Sequence, residues 1–357
     1  MMSTDKQIKP KLFGLTVSPP TQRRWMKFRQ NRRAFYSLWV FLILFVLSLF
    51  SELVANERPL LIKSDDGFFF PIMKSYSEES FGGDFPTEAD YKDPYVQELI
   101  EERNGWFIWP PIRYNYTTIS NDMEGEAPAA PSRHHWLGTD DQARDVLARI
   151  LYGFRISVLF ALILTVLSSV VGIVSGAMQG YFGGLLDMIA QRVIEIWTSM
   201  PQIYLLIILS SVIVPGFWTL LLLLFFFSWV ALVSVVRAEC LRVRNMDYVK
   251  AAKALGLSNL AIIRRHVLPN ALVAAITFLP FIMASSVTAL TALDFLGFGL
   301  PPSAPSLGEL LQQGNNNRHA LWLGLSGFVI IGLLLSLLVF IGEGVRDAFD
   351  PRKAAVE

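Results

Sequence analysis

Long apolar runs alternate with polar connectors along this chain, and the lengths of those runs set the architecture. A hydrocarbon layer about 30 Å thick takes roughly 20 mostly apolar residues in helical form. Six stretches meet that length: 35–53, 156–179, 188–214, 217–236, 271–293 and 322–341. The pattern predicts an all-α polytopic membrane protein of six transmembrane helices, with a large polar insert between the first two. Pro201 and Pro280 fall inside or beside these stretches. Neighbouring helices can satisfy the carbonyls they free, so kinks are expected rather than breaks. Arg192 and Glu195 stand three apart early in the third stretch, placed to pair or to snorkel to the interface. Its apolar crossing should begin near Trp197.

Basic residues orient the spans. The first run follows 34 residues and has no small-residue cleavage site before Glu52, so an anchor is expected rather than a cleaved signal. Lys6, Lys9, Lys11, Arg23, Arg24, Lys27, Arg29, Arg32 and Arg33 precede it against Asp5 alone, which puts the N-terminus in the cytoplasm. Six crossings return the C-terminus to the same side. The short loops agree: 237–270 carries seven Lys/Arg and the tail carries Arg346, Arg352 and Lys353, whereas the short external segments hold only Arg318. The expected organisation is a basic segment 1–34, a first span 35–53, an external insert 54–155 ending in a pre-membrane amphipathic helix, a membrane core 156–345 with a cytoplasmic loop 237–270, and a tail 346–357.

Composition sharpens this picture. Apolar types make up 53% and charged types 17%, against roughly 25% charged in soluble chains. A formal charge of +1 leaves no global field for nucleic acid. The single Cys240 excludes an internal disulfide framework or a Cys-based metal centre and reads as a buried small apolar residue. No Gly-Lys dipeptide occurs, so there is no P-loop, and energy from ATP would have to come from another polypeptide. No catalytic constellation and no cofactor site emerges.

In the insert, Phe68, Phe69, Phe70, Trp106, Phe107 and Trp109 supply material for a small folded subdomain, a core being favoured over a ligand groove. Residues 88–103 have the spacing of one short acidic helix, and 127–131 reads as a Pro/Ala linker. His135, Asp140, Asp141 and Asp145 could suggest a metal. The preferred reading is structural: Thr139 and Asp140 cap an amphipathic helix lying on the membrane. His319 beside Asn315–Asn317 reads as a solvated turn. Glu343 and Asp347 read as a hydrated tail rather than a proton relay.

The loop 237–270, RAECLRVRNMDYVKAAKALGLSNLAIIRRHVLPN, has helix-turn-helix grammar. Asp247 is placed to cap a first helix through Tyr248, Lys250, Ala251, Ala252 and Leu255, with Gly256 ending it. Ser258 is placed to cap a second, which should end before Pro269. The alanine-lined helix suits entry into a protein groove. The basic flanks equally suit a helix lying on lipid.

Ala251, Ala252, Gly256, Leu268 and Pro269 stand at the spacings of the coupling loop of ABC importer permeases, which the segment resembles. Lys250 replaces the usual glutamate, and His266 stands where that pattern has an apolar residue. HHWLGTDDQARDVLARILYGFRIS, LDFLGFGLPPSAPSLGE and GEGVRDAFDPR resemble the C-type permeases of dipeptide and oligopeptide importers. WMKFRQNRRAFYSLWVF, SELVANERPLL, SYSEESFGGDFP and NGWFIWPPIRY look like the Yej-type permeases of bacterial peptide and microcin C importers. The resemblance implies a type I ABC importer permease in the inner membrane. It also implies a second, B-type permease, a cytoplasmic ATPase with two nucleotide-binding units, a periplasmic solute-binding protein and a peptide substrate. The alternative is a proton-coupled secondary carrier, which should place ionisable residues near the bilayer midplane; these spans show almost none.

Overall fold

The computed structural model describes residues 11–12, 15–16, 19–65, 67–120, 123 and 125–350; Asp5, Lys6 and Lys9 of the basic run, and Arg352 and Lys353 of the tail, lie outside them. A short hairpin, β1 (Lys11–Leu12) and β2 (Leu15–Thr16), precedes α1 (Pro19–Gln30), α2 (Arg32–Leu49) and α3 (Ser51–Val54). The insert contributes β3 (Leu61–Ser64), β4 (Gly67–Phe69), α4 (Pro94–Glu102) and β5 (Trp106–Ile108). Ten helices follow: α5 (Val146–Phe182), α6 (Gly184–Ser199), α7 (Gln202–Val212), α8 (Phe217–Ser228), α9 (Val233–Val243), α10 (Asp247–Ala254), α11 (Asn259–Ile262), α12 (Leu268–Phe295), α13 (Leu307–Asn316) and α14 (Leu321–Phe349).

Five helical stretches among the described residues are long and apolar enough to cross a bilayer: α2, α5, Phe217–Val243, Asn259–Phe295 and α14. The pair α6 and α7 makes a sixth if its two halves are one span. They meet at 71°, so Pro201 breaks the helix where a kink was expected. Pro201 lacks an N–H and biases Met200 to extended backbone, where it sits at ψ 131°. Pro280 stays inside a continuous α12, as expected.

The start of α5 also differs from expectation. Thr139 and Asp140 cap no helix; Asp145 does, accepting from the Ala148 N–H at 2.8 Å. The separate amphipathic helix is absorbed into one 37-residue rod, about 55 Å long at 1.5 Å per residue. Asp140 instead closes a loop by accepting from the Gln142 and Arg144 backbone N–H groups.

The insert is folded. Antiparallel strands in the order β4-β3-β5, with Ile62 opposite Phe69 and Phe107, back onto α4 over Ile62, Phe81, Tyr91, Val96 and Ile100. Phe69, Phe107 and Trp109 pack on this core, whereas Phe68, Phe70 and Trp106 face outward. Strand alternation explains the split, since successive side chains take opposite faces. The 127–131 segment is tied down rather than loose: Ala129 exchanges hydrogen bonds with Thr139 at 2.8 and 2.9 Å.

Around α5 the helices pack at backbone distance. A Cβ at Gly172, Gly176 or Gly180 would meet the carbonyl oxygen of Trp229, Val233 or Arg237 at 2.5, 2.7 and 2.5 Å. Both series advance by four residues, so the two helices run side by side along a stripe of glycine that only missing side chains permit. Gly176→Val is expected to displace α9 and cut the yield of monodisperse protein in size-exclusion chromatography. Gly332→Val, whose new side chain meets open space, should leave the yield unchanged. Equal yields would contradict the close approach.

Candidate functional site

The loop between α9 and α12 folds onto the end of this bundle. α10 ends at Ala254, and Gly256 takes φ +79°. Its N–H donates to the Lys253 carbonyl at 3.0 Å, and that of Leu257 to the Ala252 carbonyl at 3.2 Å. These two bonds form a Schellman termination, in which a left-handed residue satisfies the last helical carbonyls. Gly256 thus ends the helix as expected. Ser258 caps α11 as expected, accepting from the Ala261 N–H at 3.3 Å.

Three expectations need correction. Asp247 is not the cap: Met246 holds that position, and the fully exposed Asp247 carboxylate lies 3.7 Å from the Lys250 ammonium. The second helix does not stop before Pro269. A wider π turn, Ile263–Val267, carries it into α12 with Pro269 in the first helical turn, where its missing N–H and ring are tolerated. The two alanines do not share a face. Ala252 packs inward with Val249, Ile262 and Val267 against Val236, Cys240 and Val243, while Ala251 is exposed. Cys240 is buried, as its composition suggested.

The outer surface includes Lys250, Ala251, Lys253, Leu255, Leu260, Arg264 and Arg265, together with the acid Asp247. Leu255 and Leu260 are 81% and 67% exposed, among mostly basic neighbours. Half-buried His266 stacks obliquely on Tyr248 at 6.1 Å, and Asn270 links both by donating to the Tyr248 hydroxyl at 3.3 Å and the His266 carbonyl at 2.8 Å. Leu268 is half-buried at the head of α12, and Pro269 beside it is exposed.

At the opposite end of α5 lies a buried ionic cluster. Arg149, wholly buried, donates to Glu309 Oε2 at 2.5 Å and to the Ala304 and Tyr116 carbonyls at 3.1 and 3.3 Å. Arg144 donates to Asp140 Oδ2 at 2.7 Å, to the Pro302 carbonyl at 2.9 Å and to Glu309 Oε1 at 3.2 Å. Burial pushes the Glu309 carboxyl up, an effect the two guanidiniums oppose. Nearby, Asp294 accepts from Ser306 Oγ at 2.5 Å and the Leu300 N–H at 2.7 Å, and Ser306 in turn caps α13. His135 bonds Asp145 at 2.8 Å and Ser120 at 2.9 Å. His135, Asp140 and Asp145 are thus engaged in structural contacts, while Asp141 is exposed, and among the described residues no group of three or more His, Cys, Asp or Glu is arranged for a metal.

Residues 168–355 match the family described as binding-protein-dependent transport system inner membrane component. The chain belongs to this family. Residues 19–67 match the N-terminal TM domain of oligopeptide transport permease C. The inner membrane ABC transporter permease protein YejE of Escherichia coli is 58% identical, over 95% of this chain and 99% of that one. The peptidoglycan transport system permease protein YejE of Agrobacterium fabrum is 51% identical, over 98% and 97%. The MetNI methionine ABC transporter, in inward-facing conformations, aligns over 56% of this chain and 96% of that one with TM-score 0.44 and 18% identity. The chain is accordingly a multi-pass ABC permease of the inner membrane that works within a transporter complex. The comparisons lend no support to a proton-coupled carrier.

The permease's ionic cluster escaped the sequence reading. Asp140 was read as a cap, and Arg144, Arg149 and Glu309 were not singled out, because their partners lie up to 165 positions away. The one available signal was Arg149 inside an otherwise apolar helix face. Removing one partner of a buried ion pair typically costs about 3–5 kcal/mol. Arg149→Met should lower the melting temperature of the purified permease markedly, and Glu309→Gln, which keeps an acceptor oxygen, should lower it less. A wild-type melting curve for Arg149→Met would show that the cluster contributes nothing.

Proposed function

We propose that this chain is the C-type permease subunit of an ABC importer that carries peptides, microcin C-like peptides among them, across the bacterial inner membrane. Its companions are a B-type permease, a cytoplasmic ATPase with two nucleotide-binding units and a periplasmic solute-binding protein. The loop 237–270 docks in the ATPase. The folded insert, roughly 59–132, helps to dock the binding protein or to cover the peptide. ATP hydrolysis belongs to the separate subunit, and this chain has no catalytic role.

Support for docking comes from one observation: the Schellman turn at Gly256 presents Ala251, Leu255 and Leu260 as exposed apolar residues among Lys250, Lys253, Arg264 and Arg265. A small residue flanked by two large ones suits a groove, and the mostly basic neighbours suit acids around it. Both termini are assigned to the cytoplasm. Packing supports the part of this that puts both ends on one side: Phe28 of α1 and Ala34 of α2 meet Ala348 near the end of α14, and Arg24 lies 4.5 Å over the Phe349 ring.

A Cβ at Gly256 meets nothing within 4 Å, so a substitution there strains only the backbone, by roughly 1–2 kcal/mol. Gly256→Val should leave the permease inserted and abundant but abolish peptide uptake and weaken ATPase co-purification. Gly256→Asn, which tolerates the left-handed region, should retain more of both. Lys250→Ala should be nearly neutral. Full uptake by Gly256→Val at normal abundance would mean that this loop is a lipid-surface helix.

A further inference from the structure

The helix α6 differs from every other long helix in the bundle: none of its residues is buried. Asp187, Ala190, Gln191, Ile194 and Trp197 form its inner side, with Asp187 bonded to Arg237 at 2.5 and 2.7 Å, Gln191 to Gln179 at 2.7 Å and Trp197 to the Phe226 carbonyl at 3.0 Å. The outer side divides into two stripes. Ile189, Val193 and Ile196 make one, 56–68% exposed and wholly apolar. Met188, Arg192, Glu195 and Ser199 make the other, following one another by four, three and four positions. Arg192 and Glu195 pair with each other, their side chains 72% and 55% exposed.

A charged pair facing hydrocarbon is strongly disfavoured, so ionisable groups on membrane helices face protein or water. In the proposed topology α6 starts at the cytoplasmic surface, and Arg192 pairs with Glu195 nearly one turn further along the helix. A second observation agrees. Just past Ser199 the backbone leaves helix at Met200 and Pro201, and the chain turns by 71° into α7. Irregular backbone at membrane depth occurs where it is buried in protein or lines an aqueous cavity.

We propose that the Met188, Arg192, Glu195, Ser199 stripe is one wall of the water-filled path that a peptide takes, and that the Arg192–Glu195 pair exchanges partners with the peptide's carboxylate and ammonium groups. The Ile189, Val193, Ile196 stripe faces lipid. This rests on the peptide-importer reading above.

The single cysteine, buried Cys240, makes the test direct. Ser199→Cys, Met188→Cys and Ile196→Cys are each placed in a Cys240→Ala parent. The assembled transporter, reconstituted with its binding protein, is treated with a membrane-impermeant charged maleimide with and without a saturating tripeptide. Polar-stripe sites should label about tenfold faster than Ile196→Cys, since a charged reagent reaches water-lined positions only. The peptide should slow their labelling severalfold. Met188→Cys decides if Ser199→Cys does not fold. Equal labelling of all sites, no labelling of the polar stripe, or labelling that peptide leaves unchanged would overturn the proposal. ATP-dependent tripeptide uptake by the parent tests the importer reading separately, and its loss would count against that reading rather than against the stripe.

Discussion

The backbone of α5 lies directly on the backbone entering α9 at Gly172, Gly176 and Gly180, and the end of the bundle that carries the loop 237–270 depends on that contact. With apolar chains on every side, burial alone favours no particular partner in lipid, so close packing has to select one. The glycine stripe brings the face of α9 carrying Val236, Cys240 and Val243 to the position where Val249, Ala252, Ile262 and Val267 of the loop can cover it. Arg244 then closes the end of α5 by donating to the Gly180 and Tyr181 carbonyls, both at 3.3 Å, and Tyr181 donates to Asn259 at 2.8 Å. The loop proposed to dock is thus the end of the bundle rather than an appendage on it.

From there a physically continuous route reaches the opposite end of the bundle. The π turn joins α11 to α12 without a break, and α12 runs to Asp294, which holds Ser306. Ser306 caps α13, whose Glu309 meets Arg149 at the head of α5. A displacement of the loop would therefore act on one rod whose far end is fixed in a buried ionic cluster. Breaking such a cluster is costly, and shifting it as a unit is not, which suits elements that move as rigid bodies.

Much of this was legible in the sequence because local chemistry dictates it. Span lengths follow from the bilayer, and Gly256 and Ser258 act through turns and caps that involve their own neighbours. The failures share a different cause. Ala251 and Ala252 are adjacent, and only tertiary packing decides which of them turns inward. Asp247 and Met246 competed for one cap, and Thr139 and Asp140 were read as a helix start because the true one, Asp145, lies five residues later. Pro201 stands at a break between two helices while Pro280 stays inside one, and no local signal in the sequence separates the two. The ionic cluster joins the stretch 140–149 to Glu309 of α13, and no local spacing connects those two.

In the proposed docking, a single face of α10 meets the ATPase. Site-specific cross-linking in a Cys240→Ala parent tests it most directly, comparing Ala251→Cys with Ala252→Cys in the assembled transporter. The account predicts that a short thiol-to-amine cross-linker joins the permease to the ATPase through position 251 and not through position 252. Equal cross-linking at both positions, or none at position 251 in a transporter that still takes up peptide, would contradict it.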